Sequence, residues 1–407
     1  MKLTSYIVSH YKSLSGVKVD FHPKVTVIVG PNSVGKSNFV DSMRFLRDAA
    51  KDDLDHAIVS RGGITRIRQQ ITGSGRPFNL SLGVETTQQF TDHSPESASY
   101  ALEITSLKGG EYKIEYEEAV CSEEHDEFDI DDDHRTRVLV NDGFQRNRDG
   151  QVKLTNEVLG KKFSFEDQDQ LVLGSRHGGF GFRSLADELD KYFSNWKFTT
   201  LYPTTLRELK APDSEIALRE DGSNWASVVR AAKKTAKGRQ NLERINEMMR
   251  LVLPDFLDMT ITTAGSYLVP NFKFGEAGNK TTHRVFDPVQ LSDGTLRIYG
   301  ILLSLYQTPS PPLLVIEEPE QTVHPGVLAM LAEAFKEVSE RTQIIVTTHS
   351  PQLVDHFEPE NIRVATMING ETKIAPIKKS QQLAVQQGLI GLGEFMAAEG
   401  LYPELPL

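Results

Sequence analysis

The sequence predicts an α/β protein built on a buried parallel sheet, and three segments predict it. Val25-Thr26-Val27-Ile28-Val29, Leu313-Leu314-Val315-Ile316 and Gln343-Ile344-Ile345-Val346-Thr347-Thr348 are short runs rich in apolar and β-branched residues. That is the pattern of strands covered on both faces. Each runs straight into residues suited to chemistry: a Gly-rich loop, a carboxylate cluster and a histidine. A length of 407 residues suits such a core carrying an insertion. An apolar fraction of 39% and a charged fraction of 25% are those of a water-soluble globular chain. No window approaches the roughly 18 uninterrupted apolar residues of a membrane span, and Met1-Lys2-Leu3-Thr4-Ser5-Tyr6 lacks a secretory leader. A single cysteine, Cys121, excludes an internal disulfide and a Cys-rich zinc site. A cytoplasmic protein with no membrane partner is expected. The net charge of −11 argues against a surface uniformly attractive to DNA, while a local basic groove stays open.

The first strand leads into Gly30-Pro31-Asn32-Ser33-Val34-Gly35-Lys36-Ser37, and a helical pattern follows with Phe39, Val40, Met43 and Leu46 on one side and Arg44 and Arg47 elsewhere. Strand, Gly-rich loop and helix together are the context a phosphate loop requires. Gly30 and Gly35 let the backbone wrap a phosphate with its N–H groups, and the helix N-terminus adds partial positive charge. Lys36 is expected to reach the β- and γ-phosphates, and the Ser37 hydroxyl to ligate Mg²⁺.

The second strand ends in Glu317-Glu318-Pro319-Glu320. Carboxylates there are costly unless they face the mouth of a parallel sheet, beside metal and phosphates. Glu317 is then assigned to the metal and Glu318 to the attacking water as general base. The third strand ends in His349-Ser350-Pro351, which places His349 to contact the γ-phosphate. Leu291-Ser292-Asp293-Gly294-Thr295-Leu296-Arg297 precedes an apolar helix, with Ser292 as its N-cap. An exposed Ser-x-Gly at a helix start is a second anion site or an ordinary cap.

Between these ends, residues 78–114 alternate as antiparallel strands do. The acidic stretch 115–133, with Asp131, Asp132 and Asp133, lacks the spacing of a Ca²⁺ loop and reads as a solvated loop. From about residue 184 to 253 the pattern is helical. Its basic cluster of Arg230, Lys233, Lys234, Lys237, Arg239 and Arg244 reads as a solvated helix face, with phosphate-backbone tracking as the alternative. Pro203 and Pro212 break the heptads that a long coiled-coil arm needs. Residues 362–377 look like a final hairpin.

Taken in this order, the motifs resemble the heads of ABC-class P-loop ATPases, in the branch of SMC proteins, RecF and OLD-like ATPases. Tyr11-Lys12-Ser13-Leu14 resembles the opening F-K/R-S of RecF and SMC heads, and Asn32 and Asn38 match their form of the loop. Leu291-Ser292-Asp293-Gly294-Thr295 resembles an OLD-like ABC signature. Glu317-Glu318-Pro319-Glu320 with His324-Pro325, and Gly388-Leu389-Ile390-Gly391-Leu392-Gly393-Glu394, resemble further segments of such heads. The resemblance covers the two ends of the chain. It implies a discontinuous head over 1–165 and 256–407, a mixed sheet with a β-subdomain, and a mainly helical insertion over 166–255. It implies ATP and Mg²⁺ bound by Lys12 and residues 30–38 (Gly30, Pro31, Asn32, Ser33, Val34, Gly35, Lys36, Ser37, Asn38), with Lys12 near the α-phosphate or ribose. Metal falls to Ser37 and Glu317, and catalysis to Lys36, Glu318 and His349. Ser292, Asp293 and Gly294 would act in trans, so that two subunits sandwich two ATP molecules. Glu317 departs from the Asp that SMC heads carry. Gln69 and Gln70 stand where a Mg²⁺-sensing Gln is expected. OLD-family nucleases carry their nuclease domain beyond this point, so a stand-alone ATPase is expected. It would form a homodimer or higher oligomer and govern a separate effector, a nuclease or toxin, in defence against phage or foreign DNA. A RecF-like DNA-repair ATPase is the alternative, with DNA as partner. A transporter subunit comes third, because Ser292-Asp293-Gly294-Thr295 departs from L-S-G-G-Q.

Overall fold

The computed structural model describes residues 1–69, 79–88, 96–128, 135–154, 162–164, 169–173, 185–276 and 279–405. Its centre is a six-stranded sheet in the order Lys197–Thr199, Leu313–Glu317, Gln343–Thr348, Val25–Val29, Ile362–Ile368 and Glu371–Pro376. The first five strands run parallel and the last returns antiparallel. Side chains alternate across a strand, so neighbours in these apolar runs serve different cores. Ile28, Val315 and Ile345 join one core with Phe39, Met43 and Leu46 of the helix Lys36–Lys51. Val27, Leu314, Ile316, Ile344 and Val346 join the other, against the helices Asp293–Leu305 and Leu328–Val338. This double burial is why the strands read as continuous apolar runs.

An eight-stranded antiparallel sheet covers the first core, in the order Val17–Asp20, Lys2–Ser9, Leu80–Gln88, Glu96–Ser106, Tyr112–Phe128, Arg135–Arg146, Gln151–Leu154 and Lys162–Ser164. The Gln343 side chain joins the two sheets. Its Oε1 accepts from Leu3 N at 2.8 Å, and its Nε2 donates to Leu3 O at 2.8 Å and His22 O at 3.0 Å. A buried amide thus satisfies the backbone of a strand 340 residues away. A third sheet, Phe256–Ala264, Tyr267–Glu276 and Asn279–Phe286, packs Phe256 and Phe272 into the second core.

Residues 185–255 hold the helices Leu185–Ser194, Pro203–Arg207, Trp225–Ala232 and Ala236–Val252, and also the strand Lys197–Thr199 that extends the central sheet. Leu189, Phe193 and Trp196 pack into the first core, beside the helix Lys36–Lys51.

The acidic stretch from Glu115 is a strand, not a solvated loop, as far as Phe128, and Glu117 in it is fully buried. Its carboxylate accepts hydrogen bonds from Val172 N at 2.8 Å, Leu173 N at 2.9 Å and Tyr100 Oη at 3.1 Å. Donors from distant parts of the chain turn a charge that should seek water into a tether for residues 169–173. Phe78, Asp131, Asp132 and Asp133 lie outside the described residues. Among the described residues, no helix is long and apolar enough to cross a membrane.

Candidate functional site

The strand Val25–Val29 is buried along its whole length and delivers the Gly-rich loop to the carboxyl edge of the central sheet. At Gly35 the backbone takes φ 97°, and a Cβ there would lie 2.0 Å from Thr372 Oγ1 and 2.8 Å from Ser13 Oγ. At Gly30 a Cβ would lie 2.4 Å from Ala365 O. Glycine is therefore required by close approach at both ends of the loop. Gly35→Ala is expected to destabilise the chain by about 1–3 kcal/mol and to weaken binding of a fluorescent ATP analogue at least tenfold. Thermal unfolding and nucleotide titration read the two effects, and a variant that binds as the parent does would remove the reason given for glycine.

Pro31, Asn32, Ser33 and Ser37 are exposed, while Val34 packs inward. Lys36 is buried, and its Nζ donates to Gly30 O at 2.6 Å and Pro31 O at 2.9 Å. Burial lowers its pKa, against the opposing charges of Glu318 and Glu320. Asn38 donates to Ser13 Oγ at 2.8 Å, and Ser13 Oγ pairs with Thr372 Oγ1 at 2.7 Å. Lys12 contacts Asp41 Oδ2 at 2.5 Å. Asp41 also accepts from Tyr11 Oη at 2.7 Å and Arg61 Nε at 3.1 Å. Burial pushes Asp41 up, but Lys12, Arg61 and Tyr11 together hold it below the usual carboxylate range.

Because parallel strands end at one edge, Lys36, Glu318 and His349 converge. Glu318 Oε1 lies 3.9 Å from Lys36 Nζ and 3.7 Å from His349 Nδ1. Its backbone takes φ 44°, a region a residue with a Cβ occupies at a cost of about 1–3 kcal/mol. Arg297 holds that turn, donating from Nη2 to Glu318 O at 3.0 Å and from Nη1 to Leu201 O at 2.8 Å. Gln321 Nε2 donates to Glu318 Oε2. Glu320 orients the histidine: its Oε1 accepts from His349 N at 2.9 Å and Thr348 Oγ1 at 2.6 Å, and lies 3.2 Å from His349 Nδ1.

Glu317, the carboxylate assigned to the metal, sits at the end of its strand with Arg44 Nη2 at 3.0 Å. The guanidinium is a stand-in cation, and it shows that this carboxylate accepts positive charge. Burial alone would lower the Arg44 pKa, but Glu220 and Glu317 outweigh it and raise it. With the exposed Ser37 hydroxyl at the start of the loop helix, Glu317 supplies the hard oxygen donors that Mg²⁺ takes beside phosphates. The cradle of Gly30 to Gly35, with Lys36 folded onto its own carbonyls, suits a polyphosphate.

Ser292 caps its helix, accepting from Thr295 N at 3.2 Å, and Asp293 pairs with Arg207 at 2.6 Å. A Cβ on Gly294 would lie 2.5 Å from Thr322 O in the turn after the acidic strand. The structure ties these three residues to their own helix, to Arg207 and to that turn. Gln69 N donates to His10 O at 2.7 Å, and Gln70 lies outside the described residues. A cleft of about 480 Å³ opens beside Gly30, Pro31, Asn32 and His349, with Leu401 and Tyr402 among the residues that line it. Arg44, Glu220, Arg297 and Gln321 were assigned no role from the sequence. Of the partners of Arg44, only Asp41 at 4.0 Å shares the loop helix with it, while Asp48 pairs with Arg47 and Arg61.

A family model described as "AAA domain, putative AbiEii toxin, Type IV TA system" matches residues 25–355. The DNA replication and repair protein RecF of Heliobacterium modesticaldum is 29% identical over 85 residues, which are 20% of this chain and 23% of RecF, so the match spans under a quarter of that relative. The crystal structure of an SMC head bound to the C-winged helix domain of ScpA covers 94% of this chain and 99% of its own at 12% identity, with a TM-score of 0.56. The chain thus belongs to the AAA-domain family of that description, and it has the fold of an ABC-class P-loop ATPase of the SMC/RecF branch.

Proposed function

We propose that the chain binds ATP with Mg²⁺ at residues 30–38 and hydrolyses it, that two copies close around the nucleotide, and that this cycle governs a separate effector, a nuclease or toxin, in defence against phage or foreign DNA. The observation that carries hydrolysis is the placement of Glu318, turned by a left-handed backbone toward Lys36 and His349. A carboxylate so placed orients and deprotonates a water beside the phosphate cradle. Mg²⁺, held by Ser37 and Glu317, supplies neutralisation of charge on the phosphates. Lys36 leaves its loop carbonyls for phosphate oxygens, and Glu320 keeps the His349 ring facing the same space. Closure of two copies is supported by the exposed Ser292 and Asp293 at the start of a buried helix, a ready anion contact for a second subunit's nucleotide. The family's description, which names a toxin and a toxin–antitoxin system, supports the role in defence.

The local likeness to RecF favours a second reading, ATP-dependent action on DNA. The basic cluster supports it weakly. Lys233 donates to Met259 O, Arg239 to Lys233 O, Lys237 to Gln240 and Arg244 to Glu337, so these four are already engaged.

The test is the solution mass of Glu318→Gln with and without Mg-ATP. A rise of one subunit step with ATP supports closure around nucleotide. A monomer that binds ATP without associating would overturn it and leave Ser292 a helix cap. ATP turnover of the unaltered chain, measured with and without duplex DNA, separates the two readings: stimulation of tenfold or more selects the DNA-directed one.

A further inference from the structure

Arg44 bridges two carboxylates that are far apart in sequence. Its Nη2 donates to Glu317 Oε1 at 3.0 Å, and its Nε donates to Glu220 Oε1. The guanidinium lies 4.9 Å from the Phe198 ring centroid, and that of Arg47 lies 5.0 Å from the same ring. Arg47 Nη2 also reaches Glu220 Oε2 at 3.2 Å. In this cluster Glu317 has one cationic partner and Glu220 has two, while Arg44 also lies 4.0 Å from Asp41 and Arg47 pairs with Asp48 at 2.5 Å. A divalent ion taken up by Glu317 would face the guanidinium across a single carboxylate, and like charges that close repel. Arg44 has somewhere to go. Its Nε is already bonded to Glu220, so a small rotation about the stem releases Glu317 without leaving the cation unpaired.

We infer that Arg44 is a positioning residue that serves as the resident counter-cation of Glu317 and transfers its whole charge to Glu220 when a divalent metal arrives. The inference rests on the proposal that Glu317 faces the metal. Its consequence reaches further along the chain. Glu220 O accepts from Thr200 N at 2.9 Å, and Leu201 O accepts from buried Arg297, which also holds the Glu318 turn. In the same segment Arg207 donates to Leu291 O at 2.8 Å and pairs with Asp293 at 2.6 Å. Residues 200–220 therefore touch the metal side, the Glu318 turn and the Ser292 turn at once. A change of partner at Arg44 is felt by the element that seats Asp293.

The experiment measures Mn²⁺ binding by paramagnetic resonance of the free ion, with the full chain saturated by a non-hydrolysable ATP analogue. Glu220→Gln leaves Arg44 with Glu317 at 3.0 Å and Asp41 at 4.0 Å, so its hold on Glu317 tightens and Mn²⁺ affinity should fall about tenfold, within the usual range of site coupling. Arg44→Gln removes the competing cation, and affinity should rise by a similar factor. The decisive arm is the double variant. If Glu220 acts through Arg44, then Glu220→Gln should change Mn²⁺ affinity less than twofold once Arg44 is gone. An equal loss with and without Arg44 would reduce the effect to through-space charge and overturn the exchange. Weaker Mn²⁺ binding by Arg44→Gln would make Arg44 a scaffold and overturn it too. Arg44→Met, which keeps the stem against Phe198, replaces Arg44→Gln if that chain unfolds early. Nucleotide-saturated parent protein that takes up no Mn²⁺ would overturn the metal-site proposal itself, a result distinct from either failure of the exchange.

Discussion

Glu318→Gln is expected to lower ATP turnover by about 10²–10⁴-fold, the usual worth of a positioned general base, with ATP affinity changed less than about threefold. The substitution keeps the shape and the hydrogen bond from Gln321, and it leaves Lys36 and its loop carbonyls in place. What it removes is the group that can take a proton from water. Glu320 is the informative control. It is a second carboxylate two residues on, but its Oε1 is engaged by His349 N and Thr348 Oγ1, so its work is to orient the histidine. Glu320→Gln should cost roughly tenfold in turnover, in line with loss of one supporting hydrogen bond to a positioned group. Single-turnover phosphate release in both variants distinguishes the roles. Near-normal release from Glu318→Gln together with abolished release from Glu320→Gln would exchange the two assignments.

The convergence at this site was legible where the chain's own geometry enforces it. Val25–Val29, Leu313–Glu317 and Gln343–Thr348 are buried on both faces, so each announces itself as an apolar run. Parallel strands necessarily end on one edge, which brings Glu318 within 3.9 Å of Lys36 and 3.7 Å of His349. The residues that hold them were not legible. Arg44 and Glu317 are 273 positions apart, and Arg44 and Glu220 are 176 apart, distances at which no periodicity operates. Arg297 looked like the end of a helix-start motif. Its buried guanidinium bonds to Leu201 O and Glu318 O depend on a segment whose sequence is broken by prolines. Glu117 was missed for the opposite reason. Composition placed it among solvated acids, yet strand pairing and donors from 17 and 55 residues away enclosed it.

That enclosure carries the second large expectation, in stability. Glu117→Ala should destabilise the chain by about 3–5 kcal/mol, because it strands the buried donors Val172 N, Leu173 N and Tyr100 Oη and removes the carboxylate nearest Arg146. Glu117→Gln removes the charge and keeps an acceptor for Leu173 N and Tyr100 Oη, while its NH2 faces Val172 N, a cost that does not vary with pH. Burial pushes the Glu117 carboxyl up to about 7, against the pull of the two backbone N–H groups and Arg146. A carboxyl raised in the folded state binds its proton more tightly there than in the unfolded chain. Its contribution is therefore complete below the unfolded pKa near 4.5 and is lost as pH rises through about 7. The unaltered chain should thus lose up to about 3 kcal/mol from this group between pH 4.5 and 8, a loss that Gln does not share. Urea unfolding of both chains at pH 5 and pH 8 tests the sign, since every other titrating group cancels in the difference. Gln should be the weaker chain at pH 5 and should gain on Glu by about 2–3 kcal/mol at pH 8. An equal difference at the two pH values would mean that Glu117 stays ionised throughout, with Arg146 and the backbone donors compensating fully for its burial.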